Sequence, residues 1–212
     1  MGPLARSHAV STRIEVCGFG PVVSAARAAS LIESFGPSRV LLVGIAGTYD
    51  SVHFSPGSAA CFEQVVLDGV GAGQGKHHVR AANLGFAQWP GGHGTSAVSP
   101  VFDRLELFSM PSVPRCELLV TVCSASANEA EAAERRQRYH GAFAEDMEGF
   151  GVALACHLAG VELTIVRGAS NVVGDRDRSR WLVGSALQEA AYVVTQFLEC
   201  LSESGVDRGQ AG

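Results

Sequence analysis

The sequence predicts a three-layer α/β domain, and three observations predict it. Short β-branched runs alternate along the chain with Ala-rich or amphipathic stretches of helical period. Hydrophobic residues make up 47% of the 212 positions and charged ones 17%, enough for a large core under a sparsely charged surface. Several of the apolar runs end in small residues, as at Gly44, Ser124 and Ser170, and open α/β sheets admit their ligands at such strand ends. The length fits one domain spanning 1–212, with 1–12 and 203–212 expected to be flexible.

Taken in order, residues 13–17 alternate and read as a first strand, closed by Gly18-Phe19-Gly20-Pro21. Residues 22–35 are Ala-rich and read as a helix, with Pro21 suited to its start and Gly36-Pro37 to its end. Residues 39–45 form a buried strand running into Gly44-Ile45-Ala46-Gly47-Thr48, and 58–68 a longer mixed one. The glycine-rich region 69–114 reads as an irregular excursion, a flap or subunit contact, with a short helix near 102–107. Residues 117–123 are a strand. Ser126 then begins a charged surface helix over 127–139, with Glu129 as its capping-box partner. Residues 141–146 read as a crossing segment, 148–159 as an apolar helix stopped by Gly160, and 163–166 as a buried strand. A final helix over 180–202 carries Leu182, Val183, Ala186, Leu187, Ala190, Val193, Val194, Phe197 and Leu201 on one stripe, followed by a polar tail. The strand ends at Gly44, Ser124 and Ser170 are expected to share one edge of the sheet.

Charge and composition exclude several classes. The formal net charge is −5, lysine occurs once (Lys76), and no basic run exists, so a nucleic-acid face is not expected. No stretch has eighteen unbroken apolar residues, and Met1 to Val10 lacks the apolar region of a signal peptide. Pro3 and Arg6 depart from the myristoylation pattern, and a cytoplasmic location is expected. The six cysteines mostly sit in apolar runs without C-x-x-C spacing, as core residues do. His53, His77, His78 and His93 lack the carboxylates or helical spacing of a metal site, so no metal is expected. Gly18-x-Gly20 before a helix suggests a dinucleotide turn, but position 23 is Val, so no organic cofactor is expected either.

Two pieces carry chemistry. In Glu145-Asp146-Met147-Glu148-Gly149 the acids stand at the mouth of a helix too apolar to be exposed. Capping explains them in part. A carboxylate there can also accept two hydrogen bonds at once, as from the paired hydroxyls of a ribose. In Arg167-Gly168-Ala169-Ser170-Asn171 the arginine needs an acid or an anionic ligand. Asn171 suits an Asx turn, or an amide that donates and accepts together at a purine edge.

With Gly44-Ile45-Ala46-Gly47, and with Gly174-Asp175-Arg176-Asp177 and Trp181 beyond Asn171, these motifs resemble the nucleoside phosphorylase and nucleosidase superfamily. Within it they are most similar to the futalosine hydrolase family. Gly18-Phe19-Gly20-Pro21 and Asn83-Leu84-Gly85-Phe86 extend the likeness over about residues 13 to 200. The resemblance implies a central mixed sheet between helices, no cofactor, and a homo-oligomer that takes a small nucleoside. It implies Glu148, Asn171 and Arg167 as catalytic residues, with Met147, Ser170, Ile45, Ala46, Gly47 and Asp146 around the substrate. Glu148 would hold the ribose hydroxyls, Met147 the sugar face, and Ser170 with Asn171 the base. Adenine-releasing members carry aspartate where Asn171 stands, so a 6-oxopurine is implied: futalosine split to hypoxanthine and dehypoxanthine futalosine, in menaquinone biosynthesis.

Phosphate-holding arginines of the phosphorylases are missing from 18–21 and 44–48, which favours water as nucleophile. The family's initial strand, with the glutamate that activates this water, has no counterpart here, so a sheet edge is expected to be open. Glu15 does not match that glutamate, and three alternatives stay open: the segment is absent, another acid such as Glu145 substitutes, or the start is misplaced. A purine nucleoside phosphorylase and a catalytically weak nucleoside-binding relative remain as alternatives.

Overall fold

The computed structural model describes residues 11–92 and 98–204, the last two as backbone only. His93, Gly94, the start 1–10 and the tail from 205 lie outside the described residues. In chain order the elements are α1 (Pro21–Phe35), β1 (Arg39–Thr48), β2 (Ala59–Asp68), β3 (Gly71–Ala72), β4 (Val79–Arg80) and α2 (Ala81–Leu84). Next come β5 (Arg104–Glu106), β6 (Arg115–Val122), α3 (Glu129–Arg138), β7 (Ala142–Asp146), α4 (Gly149–Ala159), β8 (Glu162–Val172) and α5 (Val183–Ser204).

Six strands make one mixed sheet in the order β5-β2-β6-β7-β1-β8, and β2 also pairs with β8 at Ala59–Cys61, so the sheet closes on itself. Side-chain alternation along the strands builds the layers. Leu42 and Ile165 face a core shared with Phe150, Val152 and Cys156 of α4 and Ala28 of α1. Their neighbours Leu41 and Val166 face Ala190, Val193 and Phe197 of α5 on the other side. A smaller cluster of Val66, Leu118, Val120 and Val122 packs on Tyr139, just after α3. The three-layer arrangement with a central mixed sheet is as expected.

Helix ends follow local chemistry. Pro21 opens α1 and Gly36 closes it with a left-handed φ of 52°, where an L side chain would be strained. The cap of α3 is Asn128 rather than Ser126: its side chain accepts from the Glu131 N–H at 3.0 Å, and Glu131 accepts from the Ala127 N–H at 2.9 Å. The capping box is therefore two residues later than expected, because Ser126 is drawn into a buried ion network described below.

Four further expectations are corrected. Residues 13–17 form no strand: Ile14 and Val16 are 91% and 81% exposed, because no described strand lies alongside to pair with them. Residues 141–146 are not a mere crossing segment, since β7 lies inside the sheet between β6 and β1. The helix expected near 102–107 is instead β5, drawn into extended form by ladder bonds to β2. Finally, β6 and β7 run opposite to β1 and β8, so the ends at Gly44, Ser124 and Ser170 do not form a common carboxyl edge. Between Arg39 and Ala46, β1 pairs with β8 alone; β7 meets it only at Gly47 and Thr48. Among the described residues, that edge of β1 is open.

Gly168 marks a tight seam, where a Cβ would stand 2.0 Å from the Ala186 carbonyl oxygen of α5. Gly168→Ala is expected to lower stability by about 1–3 kcal/mol in denaturant unfolding, since backbone must move to admit the methyl. An unchanged midpoint would show that α5 does not seat on β8 here.

Candidate active site

Asp146 ends β7 and lies almost wholly out of water, its side chain 1% exposed and that of its partner Arg167 3%. Its Oδ2 accepts from the Arg167 Nε at 3.0 Å, from Nη2, and from the Gly149 N–H at 2.9 Å. Its Oδ1 accepts from the Thr121 hydroxyl at 2.6 Å, while that hydroxyl's oxygen accepts from the Phe150 N–H at 2.8 Å. A buried ion pair is tolerable only when every remaining lone pair and proton is used in this way. Gly44 makes room for it. A Cβ at Gly44 would stand 2.2 Å from Arg167 Nη1, so the glycine is required by the guanidinium beside it.

Glu148 is the N-cap residue of α4, but its side chain makes no capping bond. Instead Oε1 accepts from the Gly20 N–H at 3.2 Å and Oε2 lies 3.4 Å from Arg167 Nη2. The side chain is 15% exposed, so it is the one acid of this group that solvent or a ligand can reach. Its backbone is anchored from α1, where the Ser24 hydroxyl lies 3.2 Å from the Glu148 carbonyl. Gly151 allows that approach, since a Cβ there would meet the Pro21 carbonyl oxygen at 2.3 Å. The Gly18-Phe19-Gly20-Pro21 turn thus supports Glu148.

On β8 the register slips between Ala46 and Gly47: Ala46 pairs with Ala169, but Gly47 pairs with Asn171. Ser170 is the extra residue, and such a bulge re-aims the side chains around it. Its hydroxyl lies 2.7 Å from Asn171 Oδ1 and 3.2 Å from the Ala46 carbonyl. Asn171 Nδ2 donates to the Val172 carbonyl at 2.9 Å and points at the Asp175 carbonyl at 3.5 Å. Gly47 packs close by, where a Cβ would be 3.0 Å from Val173 and 3.6 Å from Asn171 Nδ2.

The structure therefore brings together Asp146, Arg167 and Glu148, and separately Ala46, Gly47, Ser170 and Asn171 along the paired ends of β1 and β8. Ile45 lies between the two groups on β1, opposite Gly168. Met147 is partly buried and leans on the cluster around Val122 and Tyr139. Two cavities, one lined by Phe108, Cys156 and His157 and the other by His53, Arg115 and Tyr192, share no residue with this constellation. No cluster of three His, Cys, Asp or Glu that could hold a metal occurs among the described residues. No described helix is long and apolar enough to cross a membrane.

Glu145, next to Asp146, has the opposite fate. Strand alternation turns it to the other face, where it accepts from the Ser126 N–H and hydroxyl at 2.8 Å, the Tyr49 hydroxyl at 2.7 Å and Arg135 at 2.7 Å. These four hydrogen bonds and its burial on that face separate it from the Asp146, Arg167 and Glu148 group. Glu15, away from this group, pairs with Arg13 at 2.7 Å and with Arg27 at 3.0 Å. Sequence reasoning missed Tyr49, Asp68, Thr121 and Arg135, which hold the acids in place. A pattern of polar residues inside apolar strands (Thr121, Asp68) was their only signal.

Comparison with known proteins bears on this geometry. The model of the phosphorylase superfamily matches residues 5–201. The chain belongs to that superfamily. It is 32% identical to a futalosine hydrolase of Streptomyces coelicolor over 148 residues, 70% of this chain and 60% of that protein. It is 42% identical to a futalosine hydrolase of Acidothermus cellulolyticus over 89 residues, 41% of this chain and 36% of that one. The chain thus spans less than two thirds of the length of either relative. Among solved structures, a methylthioadenosine/S-adenosylhomocysteine nucleosidase of Colwellia psychrerythraea in complex with adenine superposes with a TM-score of 0.67 at 18% identity, covering 86% of this chain and 75% of that one. Futalosine hydrolase of Helicobacter pylori does so at 0.63 and 20% identity, covering 86% and 77%. These two share the fold.

The buried network around Glu145 gives a pH-dependent prediction. Burial raises the pKa of Asp68, but hydrogen bonds and charge from Arg135 and Arg138 outweigh it and hold the carboxyl below its ordinary 3.8. A depressed folded pKa adds stability above the unfolded value and loses it as the pH falls below. Asp68→Asn is therefore expected to be destabilised near neutral pH, with the gap to wild type closing below pH 3.8 in unfolding curves.

Proposed function

We propose that the chain hydrolyses the N-glycosidic bond of a 6-oxopurine nucleoside, with futalosine as substrate and hypoxanthine and dehypoxanthine futalosine as products, a step in menaquinone biosynthesis. The observation that carries this reading is Glu148: a partly accessible carboxylate held by Arg167 and the Gly20 N–H, with lone pairs left for a vicinal diol. The two futalosine hydrolase relatives supply the substrate class.

In this reading Glu148 accepts from the ribose 2′- and 3′-hydroxyls, and Arg167 fixes its orientation. Met147, Ile45, Ala46 and Gly47 border the sugar and base, with Asp146 behind them holding Arg167. As the bond from the anomeric carbon to the base nitrogen breaks, its electron pair leaves with the purine. Positive charge develops on the sugar within reach of Glu148. The departing base takes up a proton at N7 from solvent, and Asn171 Oδ1 accepts from that N7–H while Nδ2 donates to O6; water adds to the anomeric carbon, and the proton it loses replaces the one taken up. The cation beside Glu148 is committed to Asp146, while Arg27 and Arg39 pair with Glu15 and Glu162, which favours water over phosphate as nucleophile. The reading includes a cytoplasmic location and a homo-oligomer. Ile14, Val16, Phe19 and Val22, all strongly exposed, are apolar surface that a second subunit would cover.

One observation favours a second reading, nucleoside binding without turnover: Glu15, Glu145 and Asp146 are all engaged in ion pairs with arginines. The test is incubation with futalosine, inosine and methylthioadenosine, with and without phosphate, followed by chromatography of free base. Phosphate-independent release of hypoxanthine is expected, and release from none of the three would leave only the binding reading. Glu148→Gln is expected to lower turnover about a hundredfold to a thousandfold. Asn171→Asp is expected to shift preference toward 6-aminopurines, and an unshifted preference would remove Asn171 from the base site.

A further inference from the structure

We propose that Trp181 is a positioning residue for base selection, acting on Asn171 through the carbonyl of Asp175. The proposal rests on Asn171 being the base-recognition residue, and concerns how its donor is made available. An amide NH2 has two hydrogens, and here both are directed at backbone carbonyls, Val172 at 2.9 Å and Asp175 at 3.5 Å. Oδ1 accepts from Ser170 yet keeps a second lone pair for a base N–H. A 6-oxo group, in contrast, needs a hydrogen that the protein already uses. The longer bond, to the Asp175 carbonyl, is the one to yield.

Breaking it would leave a part-buried carbonyl without a donor, were it not for the Trp181 indole. Its Nε1–H donates to the same Asp175 oxygen at 3.2 Å. The loop around that oxygen is closed independently of Asn171. Leu182 N–H donates to the Ser170 carbonyl at 2.8 Å, Asp175 N–H to the Val172 carbonyl at 3.1 Å, and Arg180 pairs with the Asp175 carboxylate at 2.8 Å. The Asp175 carbonyl thus occupies the place of the ligand's O6 in the free protein. Trp181 keeps it satisfied when O6 arrives. In the same pose a 6-amino group brings no acceptor to that hydrogen, and turning the amide over to meet adenine N7 is opposed by the Ser170 hydroxyl at Oδ1, so the device acts on one class of base only.

The test is calorimetric titration of hypoxanthine and of adenine into wild type, Trp181→Phe and Trp181→His, with thermal melts to check folding. The wild type should bind hypoxanthine more tightly. Trp181→Phe should weaken hypoxanthine about tenfold, the penalty of an unsatisfied carbonyl, and leave adenine nearly unchanged. Trp181→His, which keeps a ring N–H, should recover part of the loss. Equal losses for both bases, or an unchanged ratio, would overturn the proposal and leave Trp181 a packing residue. A wild type that does not prefer hypoxanthine would instead overturn the underlying reading of Asn171. Should Trp181→Phe not fold, the indole N–H resonance of Trp181 in the wild type decides. It should move downfield with hypoxanthine and not with adenine, and no movement with hypoxanthine sinks the idea.

Discussion

The buried pair of Asp146 and Arg167 is the constraint on which the rest of this structure depends. Removing two charges from water costs several kcal/mol per ion unless their hydrogen-bonding capacity is met inside. Meeting it recruits one group from nearly every element near the site: Thr121 of β6, the first N–H groups of α4, and the glycine of β1 that leaves space for the guanidinium. The pair fixes the start of α4 relative to β8, and with it the distance from Glu148 to Arg167. The accessible carboxylate is placed by the inaccessible one.

A run of three acids within four residues acquires three roles from backbone geometry alone. Glu145 and Asp146 are consecutive on β7, so they face opposite sides of the sheet. Glu145 joins Tyr49, Ser126 and Arg135, and Arg135 also reaches Asp68 at the end of β2. This second network ties α3 to the sheet, and burial beside Glu145 pushes the Tyr49 hydroxyl well above its ordinary pKa, so it remains a donor. Glu148 lies past the strand, at the helix mouth, where the chain turns it toward Gly20. The closed sheet keeps both networks within a few residues of each other without letting them mix.

The parts of the fold legible in the sequence are those whose burial is one-sided or complete. β1, β2, β6 and β8 announce themselves as β-branched runs, and α1, α4 and α5 by period and by their Pro and Gly boundaries. Where the pattern misleads, a partner is responsible. Residues 13–17 have strand composition and no neighbour to pair with. β5 has three residues and exists because β2 offers it an edge. β7 ends in two acids, which look like a surface segment until their partners, 25 and 21 residues away in the case of Asp146, are known. Ser126 looks like a helix cap and is instead a hydrogen-bond partner of Glu145.

By itself the sequence determined the fold class, the order of the major elements and the residue types at the proposed site: Glu148, Arg167, Ser170 and Asn171 with the glycines that let backbone approach them. Those follow from local patterns, which depend on composition and spacing only. The tertiary structure decided which acid holds Arg167, which acid stays accessible, where Ser170 bulges, and that the hydrogens of Asn171 are already in use. These depend on closure of the sheet and on hydrogen-bond partners far apart in the chain, and no local pattern contains that information.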